Sequence, residues 1–272
     1  NLGLTVPNTK TLLDHSRSKL LTARGKRTWP NKDSKVLVSW NGLMIGGMAI
    51  AARCLMREDF AASATQAVDF IRSTLWKNGR LKACYKDNRA RFSAYLDDYA
   101  FLAHGIIELL QYRWRSQDLT LACELVEVLL TQFEDKAGGF FFTANDHEKL
   151  ILRPKPFTDE ATPSGNGIAV QVLIVLGHLL GESRYLKAAE QALRAAGPGL
   201  ERYPEAHNSM LRGLDAYLSP PEMIIIRGEP SALEEWWRLV HAGYNPKRLC
   251  FVIPANEANL PGLLADRKPQ SK

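Results

Sequence analysis

The sequence has 272 residues, a formal net charge of +6 and 46% hydrophobic residues. This length allows one large domain or two small ones, and the apolar fraction is sufficient for a core, which excludes a disordered chain. Four scattered cysteines without a CxxC pair argue against a thioredoxin-type motif or a disulfide-stapled scaffold and indicate a reducing, cytoplasmic setting. The basic residues are not interleaved with aromatic ones, so we expect no nucleic-acid groove.

The N-terminal segment predicts an amphipathic helix at Thr11–Arg24. A secretory leader is not expected, because the first residues combine neither a basic region nor an apolar one. We also expect no membrane span: the longest apolar run, Gly165–Gly181, contains three polar side chains and predicts a helix buried in protein. A chain that starts at Asn1 and ends without a structural stop signal is expected to be a piece of a longer protein.

Two kinds of helix alternate along the middle of the chain. Segments that are apolar nearly all round predict inner helices at Gly42–Met56, Asp98–Leu110 and Gly165–Leu180. Segments with one apolar stripe predict outer helices at Phe60–Trp76, Leu119–Phe133 and Arg184–Ala196. This alternation predicts a mainly α fold of repeated helical hairpins closed into part of an α/α toroid, with an open stack of helix pairs as the alternative.

The segments between the hairpins contain glycine turns flanked by short alternating runs. They predict two small β-hairpins at the end of the toroid where the inner helices begin. The first joins Arg80–Tyr85 to Ala90–Ala94, and the second joins Gly139–Thr143 to Lys149–Arg153.

The last part of the chain changes character after a further predicted helix at Tyr203–Tyr217. Two prolines are followed by a strand, a helix and a strand, at Met223–Gly228, Ser231–His241 and Arg248–Ile253. This order predicts a parallel βαβ unit. We therefore expect a partial toroid over residues 1–219 and a βαβ tail over residues 220–272, packed on the toroid.

Polar side chains gather where the inner helices are predicted to begin. Helix N-termini expose N–H groups and the positive end of the helix dipole, so these ends suit hydroxyl-rich or anionic ligands. The predicted catalytic groups are three carboxylates, which could form an acid/base pair for sugar chemistry: Asp97, Asp98 and Asp159. The predicted substrate-binding residues are Trp40, Asn41, Tyr99, Ser164 and Asn166.

Each of these candidates also has a structural interpretation. Adjacent residues point about 100° apart on a helix, so one of Asp97 and Asp98 could cap the helix while the other faces the funnel. In the structural interpretation, both only cap the helix and balance its dipole. Trp40 could instead fill the core, and Asn41 could cap a helix. No histidine pair has the spacing of a metal site, so neither a metal nor a cofactor is predicted.

Four motifs carry a resemblance to a known family: DSKVLVSWNGLMIGGMAIAA, YLDDYAFLAHGIIELL, GGFFFT and RPKPFTDEATPSGNGIA. Over about Leu12 to Ile253 the chain resembles the thioredoxin-domain-containing family that includes spermatogenesis-associated protein 20. The resemblance implies an N-terminal thioredoxin-like domain followed by an (α/α)6 toroid similar to the six-hairpin glycosidases and N-acylglucosamine 2-epimerase. This chain would then be the C-terminal part, and its partners would include the thioredoxin-like domain and the missing hairpins.

Two principal hypotheses of function remain open at this point. The first is an enzyme that isomerises, epimerises or cleaves a sugar or polyol with the carboxylates at the inner-helix N-termini. The second is a non-catalytic module that binds carbohydrate or protein beside a thioredoxin-like domain. A purely structural scaffold is a third alternative.

Overall fold

The computed structural model describes residues 3–148, 151–243 and 245–268. Most of these residues are helical, and the strands are short. By its internal contacts the chain divides into two compact units, Asn1–Ser34 and Lys35–Lys272.

The first unit contains one helix, α1 (Val6–Gly25). It begins five residues before the predicted Thr11–Arg24 because the Thr5 side chain accepts a hydrogen bond from Asn8 N and caps the first turn. No residue of α1 is buried.

Seven helices of the second unit follow the predicted alternation. They are α2 (Val38–Leu55), α3 (Glu58–Thr74), α4 (Leu96–Tyr112), α5 (Ser116–Val128), α6 (Gly165–Leu180), α7 (Ser183–Arg202) and α8 (Asn208–Leu218). The inner helices α2, α4, α6 and α8 pack side by side in that order, and α3, α5 and α7 each cover the inner helix that precedes them. This confirms helical hairpins arranged as part of an α/α toroid.

The burial predicted for the first inner helix is only half correct. Nearly every residue of α4 and α6 is buried, whereas α2 exposes a row of large apolar side chains that includes Trp40, Met44 and Ile50. α2 is more exposed than α4 and α6 because, among the described elements, it packs mainly against α3 and α4. By length and composition alone α2 could also cross a membrane, but here it is one helix in a protein layer.

Glycines bring α2 and α4 into close contact. A Cβ added at Gly105 would lie 2.5 Å from the carbonyl oxygen of Gly42, and one added at Gly42 would lie 2.6 Å from Leu102 N. Backbone therefore meets backbone at this crossing, and any side chain would force the helices apart. The close approach sets the starts of α2 and α4 next to each other.

The first predicted β-hairpin is confirmed. It consists of β3 (Arg80–Lys86) and β4 (Arg89–Ser93), which pair antiparallel, while the two-residue strands β1 (Val36–Leu37) and β2 (Trp76–Lys77) add to β3. The connection uses Asp87 and Asn88, both at positive φ. Asx residues tolerate that conformation better than most, which explains the tight turn.

The second predicted hairpin does not form within the described residues. Its residues 149 and 150 lie outside the described part of the chain, and residues 139–143 make no strand ladder. The backbone of this segment is already satisfied by other partners. Phe140 exchanges hydrogen bonds with the Asn166 side chain, Phe141 N donates to Phe133 O, and Phe142 N donates to Pro154 O.

The strand–helix–strand prediction is confirmed by β5 (Glu222–Gly228), α9 (Pro230–His241) and β6 (Arg248–Pro254). The two strands pair in parallel. The indole nitrogen of Trp237 donates a hydrogen bond of 3.1 Å to Gln111 O, which ties α9 to the C-terminal end of α4. The division of the chain into domains at residue 219 stays a prediction.

Candidate functional site

Asp98 joins the starts of α2 and α4. One carboxylate oxygen accepts a hydrogen bond of 2.9 Å from Ser39 N, and the other accepts one of 2.9 Å from Tyr95 N. Burial raises the pKa of this carboxyl to about 6, although the hydrogen bonds from Tyr95 and Ser39 oppose the shift. Because both oxygens hold backbone N–H groups, Asp98 is the capping member of the Asp97–Asp98 pair.

Asp159 joins α6 and α8 in the same way. It accepts hydrogen bonds of 2.8 Å from Ser164 N and from Ser209 N, and a further one from the Ser209 hydroxyl. Burial opposes ionisation, but these hydrogen bonds hold the pKa of Asp159 below its usual value. Two of the three predicted catalytic carboxylates are thus engaged in holding helix starts together.

Asp97 is the free carboxylate of the three. Within the described residues its side chain has neither a hydrogen-bond nor an ion-pair partner, and it is partly exposed. It lies against the start of α6, where a Cβ at Gly165 would collide with it. Burial, and secondly the charge of Asp98, raise the pKa of Asp97 to about 6. An unpaired carboxyl that titrates near neutral pH is suited to transferring protons.

Trp40 and Asn41 lie inside the first turn of α2, which begins at Val38 rather than at the predicted Gly42. The Trp40 side chain is 65% exposed, so the interpretation as a core residue is wrong and its ring is available for contact. Asn41 is half-buried, and its amide nitrogen donates a hydrogen bond of 2.7 Å to Leu37 O. Both residues lie at the start of α2, which the hydrogen bond from Ser39 N to Asp98 joins to the start of α4.

The other three predicted binding residues serve the fold in this structure. Tyr99 is fully buried, and its hydroxyl accepts a hydrogen bond of 3.0 Å from Leu81 N. Asn166 is fully buried and clamps Phe140, while the Ser164 hydroxyl caps α6. Tyr99 and Asn166 have no exposed surface for a ligand, and Ser164 has little, so their predicted contact with a substrate does not fit this structure.

The partly exposed residues of α4 form one narrow stripe. Only Asp97, His104, Glu108 and Tyr112 of this helix are not buried, and their spacing of seven and four residues places them on one face. Burial lowers the pKa of His104, and the charge of Glu108 only partly opposes this shift. Asp97 and His104 are about 10 Å apart along the helix axis. The inner face of α4 therefore presents a row of titratable groups.

A cavity of about 580 Å³ borders this stripe between α4, α6 and α8. His104 and Glu108 reach it from α4, Gln171 from α6, and Arg212 from α8. The sequence analysis missed Glu108 and Arg212. The sequence signal that could have found Glu108 is its helical spacing from Asp97 in a segment that is otherwise apolar. Among the described residues, no group of three His, Cys, Asp or Glu side chains is arranged to hold a metal ion.

The chain is similar in sequence to curated relatives named spermatogenesis-associated protein 20. The rat protein (Rattus norvegicus) is 31% identical over 94% of this chain and 34% of its own length, and the human protein (Homo sapiens) is 30% identical over the same shares. The chain thus spans about a third of the length of these relatives. These matches confirm the resemblance predicted from the four motifs. No family model matches the chain.

Solved structures with a similar fold are enzymes that act on sugars. A GH76 alpha-mannanase from Bacteroides thetaiotaomicron matches 71% of this chain and 56% of its own, with a TM-score of 0.56 and 14% identity. The cellobiose 2-epimerase of Spirochaeta thermophila matches 61% of this chain and 44% of its own, with a TM-score of 0.50 and 15% identity. At such identities the likeness shows the fold alone, which is that of the (α/α)6 toroids.

Proposed function

Because the chain is homologous to spermatogenesis-associated protein 20 and has the fold of (α/α)6 toroid enzymes, we propose that it acts on a sugar by acid–base chemistry, with Asp97 as the proton-transferring group. The observation that carries this proposal is the state of Asp97: unpaired, partly exposed and with a pKa raised to about 6. Acid–base catalysis works best when the pKa of the group lies near the working pH, and burial is a common way to reach it.

The surroundings of Asp97 support a sugar as the substrate. Trp40 lies at the start of α2, which Asp98 joins to the start of α4, and its exposed ring offers a flat apolar surface to the face of a sugar ring. The stripe that starts at Asp97 continues to His104 and the cavity, which is large enough for a small molecule. The related folds of an alpha-mannanase and a cellobiose 2-epimerase add support at the level of architecture.

Isomerisation fits the described residues better than epimerisation or glycosidic cleavage. Cleavage by the common route needs two carboxyl groups that flank the bond. Both oxygens of Asp98 and of Asp159 accept hydrogen bonds from backbone N–H groups. Asp97 is therefore the one predicted carboxylate of the three that is free to act on a substrate. In an isomerisation, one carboxylate can take the proton from one sugar carbon and return it to the neighbouring carbon, whereas inversion at a single carbon needs a second group on the opposite face.

The same observation favours the second candidate function, a non-catalytic carbohydrate- or protein-binding module attached to a thioredoxin-like domain. A site with a single free carboxylate is sufficient for recognition of hydroxyl groups without any turnover. The exposed apolar side chains of α2 beyond its first turn, such as Met44 and Ile50, support the expectation that further toroid hairpins pack there. We also propose a cytoplasmic location. It is supported by the absence of disulfides among the four cysteines, which are Cys54, Cys84, Cys123 and Cys250.

Hydrogen exchange at sugar carbons tests the proposal directly. The chain is incubated in D₂O with mannose, cellobiose and a mannan oligosaccharide, and NMR follows both deuterium incorporation at C2 and the appearance of products. We expect exchange with at least one sugar, and a loss of about 10²- to 10⁴-fold in the rate for Asp97→Asn, which is the usual contribution of a general acid or base.

The matched control is Asp266→Asn, because Asp266 is an exposed carboxylate far along the chain from the inner-helix starts. This variant should exchange deuterium at the wild-type rate. Equal rates for wild type and Asp97→Asn would refute the role of Asp97. Binding of the sugars without exchange or product would favour the binding module instead.

A further inference from the structure

The cavity between α4, α6 and α8 has the dimensions and the mixed walls of a ligand site. Its volume of about 580 Å³ lies within the range of roughly 300–1,000 Å³ that is typical of pockets for small molecules. Apolar side chains such as Ile107, Val175 and Leu211 form part of the wall. The remaining wall is polar and includes four formally charged side chains.

Three of those four charges are neutralised by an adjacent partner. Glu108 accepts a hydrogen bond of 2.6 Å from Arg53, which also donates to the Glu108 carbonyl oxygen. Asp215 accepts one of 2.7 Å from Lys247. Arg212 is exposed and has no hydrogen-bond or ion-pair partner among the described residues. Its charge adds to the effect of burial in lowering the pKa of His104. The cavity wall therefore keeps one uncompensated positive charge, on a guanidinium group.

Two amide side chains add acceptors to the same wall. Gln171 Nε2 donates a hydrogen bond of 2.8 Å to Ser209 O, and Asn208 Nδ2 donates one of 3.0 Å to Glu205 O. These bonds fix the amide groups and leave each amide oxygen without a protein partner within the described residues. An amide oxygen that borders a cavity is suited to accept a hydrogen bond from a ligand hydroxyl group.

We propose that this cavity binds a sugar that carries an acidic group, with the Arg212 guanidinium pairing with the acid and the Gln171 and Asn208 amide oxygens accepting from the hydroxyl groups. A guanidinium group matches the two oxygens of a carboxylate or a phosphate with two parallel N–H donors. The acid is therefore either the carboxylate of a sugar acid or the phosphate of a sugar phosphate. The inference rests on the proposed function in one respect: only that function would make the bound sugar a substrate.

Isothermal titration of the 272-residue chain with three probes tests the inference. The probes are glucose 6-phosphate, glucuronate and uncharged glucose. We expect the phosphate, the carboxylate or both to bind at least tenfold more tightly than glucose, and the preferred probe identifies the acidic group. Arg212→Gln should weaken that binding by about tenfold to a hundredfold, as expected for one hydrogen bond to a charged group.

Two further variants make the result specific. Arg212→Lys keeps the charge but loses the paired donors, so we expect intermediate binding. Arg202→Gln removes the same charge from the exposed end of α7 and should bind like the wild type. Circular dichroism verifies that each variant is folded. Equal affinity for glucose and the charged probes, or unchanged binding by Arg212→Gln, would overturn the inference.

The two proposals fail separately. Arg212-dependent binding of the acidic sugar, together with sugar chemistry that Asp97→Asn leaves unchanged, would support the cavity as a binding site and refute the catalytic role of Asp97. Asp97-dependent exchange on neutral sugars alone, together with binding that Arg212→Gln leaves unchanged, would refute the cavity as a site for acidic sugars and support the proposed function.

Discussion

Replacing Asp97 by asparagine should stabilise the protein at neutral pH while it removes the proposed catalytic group. The wild-type carboxyl is partly buried without a partner, so its ionised form is disfavoured in the folded state. Asparagine has nearly the same shape and no charge to bury. A gain in stability together with a loss of activity is typical of residues retained for function.

The magnitude follows from the pKa. A rise of the Asp97 pKa from 3.8 to about 6 corresponds to about 3 kcal/mol at 1.36 kcal/mol per pKa unit. Because the side chain retains contact with solvent, we expect about 2 kcal/mol in practice. The folded protein holds the proton more tightly than the unfolded chain does. The cost of Asp97 is therefore absent well below pH 3.8, increases between pH 3.8 and about 6, and is complete above that range.

Urea unfolding at pH 4.5 and at pH 7.5 measures this dependence. At pH 7.5, Asp97→Asn should raise the free energy of unfolding by about 2 kcal/mol, or the melting temperature by about 4–8 °C. At pH 4.5 roughly a third of that gain should remain. Asp266→Asn, at an exposed carboxylate without a side-chain partner among the described residues, should change the stability by less than about 0.5 kcal/mol at either pH. A loss of stability at pH 7.5, or the same gain at both pH values, would refute the reasoning.

Three further substitutions test the contacts that position the site. Asp159→Ala removes the hydrogen bonds to Ser164 and Ser209 that cap two helices, and should cost about 2–3 kcal/mol in urea unfolding; a neutral effect would contradict its capping role. Asn166→Ala leaves a buried N–H and a buried carbonyl unpaired and should cost about 2–4 kcal/mol by the same measurement. Gly105→Ala should lower the melting temperature because its Cβ meets backbone, whereas Gly47→Ala, with open space around it, should raise it slightly.

Local patterns of the sequence were sufficient to predict most of the helical architecture. The bounds of α6 match the prediction because both ends carry strong local signals, the Ser164 cap at the start and Gly181 in the left-handed conformation after the end. The exposure of α2 could not be predicted in the same way, because apolarity indicates what a helix could bury but not how many neighbours it has. Within the described residues, which leave out 149 and 150, the second hairpin does not form, because the distant Asn166 takes the hydrogen bonds of Phe140.

The sequence predicted carboxylates at the helix starts but did not decide between the two neighbours in α4. Asp97 and Asp98 differ by one position in the phase of α4, and one of them was expected to cap the helix. The structure assigns the cap to Asp98, because α4 begins at Leu96 and Asp98 therefore lies in the third helical position, where a carboxylate reaches back to the N-cap backbone. Arg212 was missed because the packing of α8 beside α4 brings it to the cavity, and no local pattern records that packing.

A comparison of the three aspartates also shows why Asp97 is the one to test first. Asp98 links α2 to α4 and Asp159 links α6 to α8, so the fold uses the same device twice to hold consecutive inner helices together. Asp97 takes part in neither link, and its carboxylate occupies the space that a side chain at position 165 would fill. Asp97 lies in the first turn of α4, where a negative charge interacts favourably with the helix dipole, but burial without a partner opposes its ionisation. Proteins tolerate such local conflicts mainly at functional sites, which is the physical argument for placing the chemistry at Asp97 rather than at its two capping neighbours.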